Sequence, residues 1–530
     1  MTAQDTIPIV VGVTGHRDIR PEDREALYSA VKQELTALQN RCPHSEIVMV
    51  NSLAEGADQL CAEVALKLSV PLIAVLPMNR TEYEKDFSAE ALATFRTLCN
   101  AAKDCFVAPE TESAPSVPDR DFAYRQAGVY VASHAHVLLA LWNGTESSAS
   151  DCGTAAIVHC ALDGAFTPAD SIPLGDCCPV LHIQAPRKGD ESSAAGAVRF
   201  LGDRTAFEET IARTDEFNRL AKTVSASEFS LLPSDREPDR QLDRIEMLYA
   251  KADSLSVRFA KQYRRILAVL AIISTIITIA FLLYDEAELH WMILVCGGML
   301  LLAWLVQRYG NRFASHMRYL EYRVLAEELR VQAFLRYAGS DLTVLNVLPW
   351  SAKAETRWAA AALKALSVGA AHYPAHSIRD AWAAEQHRYH ESSIERSRRA
   401  HKGSERIVRV ALWISILLYL AVLVFELVLG SLLPVSLQIA NAGFYRTLSK
   451  LLLGSISAAT LFISNYYGRL SLSRTTADHA RMERFYASVL DRIDRFGESD
   501  ALLRLIAREE LIENGNWCSY QRDNTTDFNL

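Results

Sequence analysis

Between residues 8 and 185 short aliphatic runs alternate with stretches whose apolar positions recur at helical spacing. Ile9–Val13, Ile47–Asn51, Leu72–Leu76, Val137–Leu141 and Val180–Ile183 read as strands, and their near-continuous Val, Ile and Leu suit burial on both faces. Glu22–Leu38, Ala57–Leu68, Phe87–Ala102, Phe122–Ala132 and Ala155–Leu162 read as amphipathic helices between them. This alternation predicts βαβ units and a parallel sheet. Lys188–Gly202 is rich in Gly, Ala and Ser and reads as a loop, and from about Asp203 to Arg265 the pattern is helical and increasingly basic.

The second half follows a different pattern. Ile266–Leu283, Leu289–Val306, Ile407–Phe425 and Leu448–Tyr467 are apolar runs. At 1.5 Å per residue each extends roughly 27–30 Å as a helix, the thickness of a bilayer's hydrocarbon core. The predicted fold class is therefore a Rossmann-like α/β head on a parallel sheet, followed by an all-α membrane domain of four transmembrane helices in two hairpins. Each hairpin precedes a charged amphipathic stretch, Tyr319–Tyr337 and His479–Phe496, and each stretch is closed by a glycine, Gly339 or Gly497, as a helix C-cap. That parallel suggests a duplication. Residues 340–400 read as Ala- and Trp-containing helix packed beneath the bundle. The expected boundaries are a head at 7–187, a linker and helical connector at 188–263, and a first hairpin with its amphipathic helix at 264–339. A helical cytoplasmic region at 340–406 and a second hairpin with C-terminal helices at 407–530 complete the chain.

A chain of 530 residues exceeds one ordinary core, and a net charge of −8 gives no global reason to bind nucleic acid. Met1–Ile7 is polar, without a basic or an apolar region, so a cleaved signal peptide is not expected. The ten cysteines show no paired CxxC spacing, which argues against a zinc site and, in a large domain, for reduced and packed thiols. Lys261, Arg264 and Arg265 precede the first hairpin and Arg308 and Arg312 follow it, while its connector Asp285–Glu288 is acidic. Lys402, Arg406 and Arg409 before the second hairpin, with Arg469 and Arg474 after it, give the same sense, against which stand Arg446 and Lys450 in the outer loop. Positive charge on the inner side predicts a multi-pass protein of the bacterial inner membrane, with the head and both termini cytoplasmic.

Three polar, glycine-bearing turns stand at strand ends. The first strand runs into Gly12-Val13-Thr14-Gly15-His16-Arg17-Asp18, the second into Ser52-Leu53-Ala54-Glu55-Gly56-Ala57-Asp58. The Val137–Leu141 strand leads to Trp142-Asn143-Gly144 and then Asp151-Cys152-Gly153-Thr154-Ala155. In an open α/β sheet ligands bind outside the carboxyl ends of strands. Glycines there admit a phosphate to the backbone, Arg17 supplies positive charge, Ser52 and the amides near Gly56 hold a phosphate, and Glu55 or Asp58 accepts from ribose hydroxyls. A bare strand-to-helix turn, and an Asp58 that only favours a helix N-terminus, are the plainer alternatives.

GVTGHRD, SLAEGAD and LWNG…GTA, in that order, resemble the SLOG superfamily, Rossmann-like domains related to the LOG phosphoribohydrolases and to DNA-processing protein A. The resemblance covers about residues 7–185. It implies binding of a nucleotide or a cyclic or ADP-ribose-type nucleotide signal at Gly15, His16, Arg17, Ser52, Glu55, Gly56, Asp58, Asn143, Gly153 and Thr154. No further cofactor and no metal are implied. In bacterial anti-phage systems such domains sense a second messenger and control an attached effector. The hydrolytic members carry a glutamate three residues after the Gly-Thr pair, whereas this chain has Ile157, and an aliphatic side chain is no acid or base. The resemblance thus implies binding rather than catalysis, and no catalytic residue is assigned. The hairpin followed by YRVLAEELRVQAF, with Glu513-Asn514-Gly515-Asn516-Trp517, is similar to the SLATT class of membrane effector domains.

Within the spans, Ser274, Thr275, Thr278, Ser455, Ser457 and Thr460 carry small hydroxyls suited to helix packing. Glu426 falls at the outer interface or inside the bilayer, lining a pore. A four-helix protomer with so few intramembrane charges needs partners to form a path, so a homo-oligomer on the lipid bilayer is expected. The expected function is a membrane effector that senses a nucleotide-derived signal and permeabilises or conducts across the membrane. The rivals are a membrane-anchored N-glycosidase or phosphoribohydrolase-like enzyme, with Glu55 or Asp58 as acid/base group, and an oligomerising scaffold with a vestigial pocket.

Overall fold

The computed structural model describes residues 6–109, 119–145, 152–164, 178–190, 194–225, 230–234, 236–286, 288–313, 315–349, 356–369, 375–424, 442–469 and 472–523. The chain divides into two compact units, Met1–Leu255 with Arg323–His376 and Ser499–Gly515, and Ser256–Tyr322 with Ser377–Glu498 and Asn516–Leu530.

The first unit is built on a seven-stranded sheet. In chain order its elements are β1 (Ile9–Gly15), α1 (Arg24–Arg41), β2 (Ile47–Asn51), α2 (Ala57–Lys67), β3 (Leu72–Leu76), α3 (Ala89–Ala101) and β4 (Asp104–Val107). Then come α4 (Arg120–His134), β5 (Val137–Trp142), α5 (Thr154–Asp163), β6 (Val180–Gln184), β7 (Val198–Leu201) and α6 (Arg204–Ala221). The strand order is β4-β3-β2-β1-β5-β6-β7, parallel throughout except for β7, which runs antiparallel to β6. Helices cover both faces, which is why β1, β2 and β5 carry apolar residues at successive positions. One face packs Val11, Leu27, Leu35, Leu60, Phe95 and Leu139, and the other Val10, Val50, Val131, Leu138, Ile157 and Val180.

The five expected strands are present. β4 and β7 were not legible: four residues each, at the two sheet edges, they lack the two-sided apolar run that marks the central strands. The loop expected over Lys188–Gly202 thus ends in a strand, Ile183 pairing with Val198. The described residues 340–349 and 356–369 also depart from expectation, because they belong with the head and not with the apolar bundle. The helix Arg357–Leu366 lays Trp358 against Phe217 of α6, ring centres 6.2 Å apart, and contributes Ala365 to the core behind the sheet. An apolar stripe of four alanines and a tryptophan is what made that segment look like part of a bundle.

The apolar runs of the second unit lie in α7 (Arg240–Glu286), α8 (Met292–Phe313), α11 (Glu385–Val424) and α12 (Ala442–Arg469). The other long helices of the chain's second half are α9 (Ser315–Tyr337), α10 (the Arg357–Leu366 helix above), α13 (Leu472–Phe496) and α14 (Asp500–Asp523). Four helices are long and apolar enough to cross a membrane, with mean hydropathies of 2.9, 1.6, 2.5 and 1.4 over their best windows. Their apolar side chains point outward: Leu294 is 76 % exposed and Leu417 61 %, a pattern that lipid and not water accommodates. Lys450 Nζ lies 2.9 Å from Glu286 Oε2, so the start of α12 and the end of α7 share one end of this unit. α11 and α13 run antiparallel, with His387 facing Glu483 at 3.2 Å and His390 facing His479 at 3.0 Å. Ser274, Thr275, Thr278 and Thr460 each donate to the carbonyl four residues back, and Ser415 meets Thr460 across two helices at 3.3 Å. Gly339 and Gly497 adopt φ of +68° and +77°, as expected of helix-terminating glycines. Glu426 lies outside the described residues.

Candidate functional site

β1 sits between β2 and β5, so the strand order reverses there, and the carboxyl ends of β1 and β5 are where such open sheets bind ligands. Gly15 is level with Leu141 in that register, which brings the residues after the two strands together. His16 Nε2 lies 3.1 Å from Asn143 Oδ1 and 3.2 Å from the Asn143 backbone nitrogen. Burial holds the His16 ring below its ordinary pKa, favouring the neutral form. Asn143 Nδ2 donates to Asp190 Oδ2 at 3.1 Å, and Asp190 also accepts from the Arg187 backbone at 2.8 Å. Arg187 Nε bridges both oxygens of Asp18 at 2.9 and 3.0 Å. A polar chain from β1 through β5 to the segment after β6 results.

On the β2 side, Arg17 places its guanidinium 4.6 Å from the ring centre of Tyr124 on α4. Tyr124 donates to Asp86, which Arg120 also contacts at 2.6 Å. Asp58, in the first turn of α2, is buried and accepts from the Ala54 backbone at 3.4 Å. Burial pushes its carboxyl up to about 7, against the opposing pull of that amide and of Arg17. Above it, Tyr83 donates to the Ser52 carbonyl at 3.1 Å.

The turn that carries these groups is held from inside. Asn51 accepts from the Leu53 backbone at 2.7 Å and donates to the Asp58 carbonyl at 2.8 Å. Leu53 consequently sits at φ +56°, a conformation disfavoured for a branched side chain and kept by its surroundings. Gly56, at φ +87°, lies directly under the first turn: a Cβ there would stand 2.3 Å from the Arg17 carbonyl oxygen. A Cβ on Gly15 would stand 2.4 Å from that of Ala57. Ala57 N–H donates to the His16 carbonyl at 3.0 Å. These two glycines are required by the contact of two protein loops.

His16, Arg17, Ser52, Gly56, Asp58 and Asn143 therefore gather at the ends of β1, β2 and β5. Glu55 is engaged elsewhere, accepting from Ser88 Oγ at 3.0 Å beside the start of α3, where Ser88 is the N-cap. Gly153 and Thr154 begin α5, and among the described residues no hydrogen bond joins them to the His16–Asn143 pair. Ile157 is buried with its Cδ1 2.5 Å from where a Gly128 Cβ would be, so its side chain fills the seam between α4 and α5. Asn51, Tyr83, Tyr124, Asp86 and Asp190 were missed by the sequence reading. Only Asn51 adjoins a motif, and the others arrive from separate segments with no spacing to mark them. No family model and no curated protein matches the chain.

Proposed function

We propose that this chain is a membrane effector whose head binds a nucleotide-derived ligand at the carboxyl ends of β1, β2 and β5, and whose four apolar helices are the output. The observation that carries the reading is the convergence of His16, Arg17, Asp58 and Asn143 at the strand ends where the strand order reverses. Arg17 offers a cation to a phosphate, and the Asn143 amide and Asp58 carboxyl offer donors and acceptors to a ribose or base. The outward-facing apolar side chains of the second unit support permeabilisation of, or conduction across, an inner membrane by an oligomer, with the head cytoplasmic. The resemblance to SLOG sensors and SLATT effectors supports a role in anti-phage defence.

The test is dye leakage from liposomes holding the full-length protein, with ADP-ribose and cyclic mono- and dinucleotides as probes. One of them is expected to trigger leakage that Arg17→Ala abolishes. Binding without leakage overturns the effector role, and leakage indifferent to Arg17→Ala and Asp58→Ala overturns the pocket.

One observation favours a second reading. A buried carboxyl near neutrality beside an arginine suits general acid–base chemistry, here cleavage of an N-glycosidic bond. Release of free base from nucleoside monophosphates, lost in Asp58→Asn, would establish it.

A further inference from the structure

The edge of the sheet carries a pair of thiols away from the His16–Asn143 pair. Cys99 lies in the last turns of α3 and is buried, while Cys105 lies on the edge strand β4 and is exposed. Their sulfur atoms are 3.0 Å apart. A disulfide requires about 2.05 Å, so closing the bond asks for roughly 1 Å of travel, within reach of side-chain torsions. The other described cysteines are buried except Cys152, which is half-buried.

We propose that Cys99 and Cys105 form a reversible disulfide that clamps the end of α3 to strand β4. The co-reactant is a hydroperoxide. The exposed Cys105 sulfur attacks the peroxide O–O bond, forming a sulfenic acid and releasing an alcohol or water. The Cys99 sulfur then attacks that sulfenic sulfur, the S–S bond forms and water leaves. Two thiols and one hydroperoxide yield one disulfide, one alcohol and one water, the two electrons passing from the sulfurs to the peroxide.

Burial and the neighbouring Cys99 push the Cys105 thiol up to about 12, with Arg80 pulling it down and Asp104 adding to the rise. The reaction is therefore slow at neutral pH and faster in mild alkali, because the thiolate is the nucleophile. The clamp acts on the last turns of α3, the helix whose N-cap Ser88 holds Glu55 at its other end.

The experiment treats the detergent-solubilised full chain with tert-butyl hydroperoxide at pH 8.5, then counts thiols in denaturant and maps disulfides by mass spectrometry. Two of the ten thiols are expected to disappear, to return with dithiothreitol, and to appear as one peptide containing both Cys99 and Cys105. C105S, at an exposed position, should keep the remaining nine and form no intramolecular disulfide. Ten thiols surviving treatment, Cys105 advancing to sulfinic acid without pairing, or a disulfide involving another cysteine would each overturn the proposal.

Discussion

His16 and Asn143, 127 positions apart, meet at 3.1 Å across the point where the strand order of the sheet reverses. Neither residue has the other's company in the chain; β1 and β5 lying side by side put them there. Asn143 spends its amide on Asp190 and its carbonyl oxygen on the Thr145 backbone. Asn143→Ala should therefore unpair several groups together and lower the stability of the head by roughly 1–3 kcal/mol. Urea unfolding followed by tryptophan fluorescence measures it, and an unchanged midpoint would show that the network contributes nothing.

Gly56→Ala should cost more than Gly144→Ala, although both glycines have positive φ, +87° and +80°. At Gly56 the new methyl meets the Arg17 carbonyl at 2.3 Å, while at Gly144 its nearest neighbour is 3.9 Å away. The strained backbone alone accounts for about 1 kcal/mol at either site, and the clash adds to it only at Gly56. Paired melting curves of the two variants decide this.

A glutamate placed at position 157, where the LOG hydrolases that the sequence resembles carry one, should not confer hydrolysis. Ile157→Glu would place a carboxylate in the packed seam against Gly128, where a charge has no partner to offset several kcal/mol of lost hydration. The expected outcome is a large drop in melting temperature with no base released from nucleoside monophosphates. A folded, hydrolytically active variant would contradict the packing role.

Glu328 of α9 makes the stability of its unit depend on pH. It is fully buried, neither carboxylate oxygen has a hydrogen-bond partner among the described residues, and burial pushes it up to about 8. The folded state keeps a proton that the unfolded state releases from about pH 4.5 upward, so this group removes stability as pH rises from there to about 8. The Glu328→Gln variant should gain on the wild type across that window, by up to about 3 kcal/mol at pH 7. Parallel stability curves would exclude the buried proton. His136 acts in the opposite sense. Burial lowers it to about 4, so stability falls as pH drops from about 6.5 to 4, and His136→Gln should flatten that acid limb.

Much of the architecture was legible because the central strands and the apolar helices have strong periodic or continuous signatures. β1, β2, β3, β5 and β6 are buried on both faces and announce themselves, whereas the edge strands β4 and β7 are short and half polar. The GVTGHRD and SLAEGAD turns were visible as glycine-bearing strand ends, but the purpose of their glycines was not. Gly15 and Gly56 are small because His16–Arg17 and Ala57 must touch, a fact that belongs to the meeting of two loops.

Sequence alone determined the parallel α/β head, the four apolar helices and the residues offered at each strand end, since each follows from local pattern and composition. Tertiary structure decided which of those residues meet. It joined His16 to Asn143 and Arg17 to Tyr124, turned Glu55 towards Ser88, and moved the Arg357–Leu366 helix onto the head. The reason is physical: a strand's apolar run is fixed by its own neighbours, but the partner of a polar side chain is fixed by strand order, which couples positions more than a hundred residues apart.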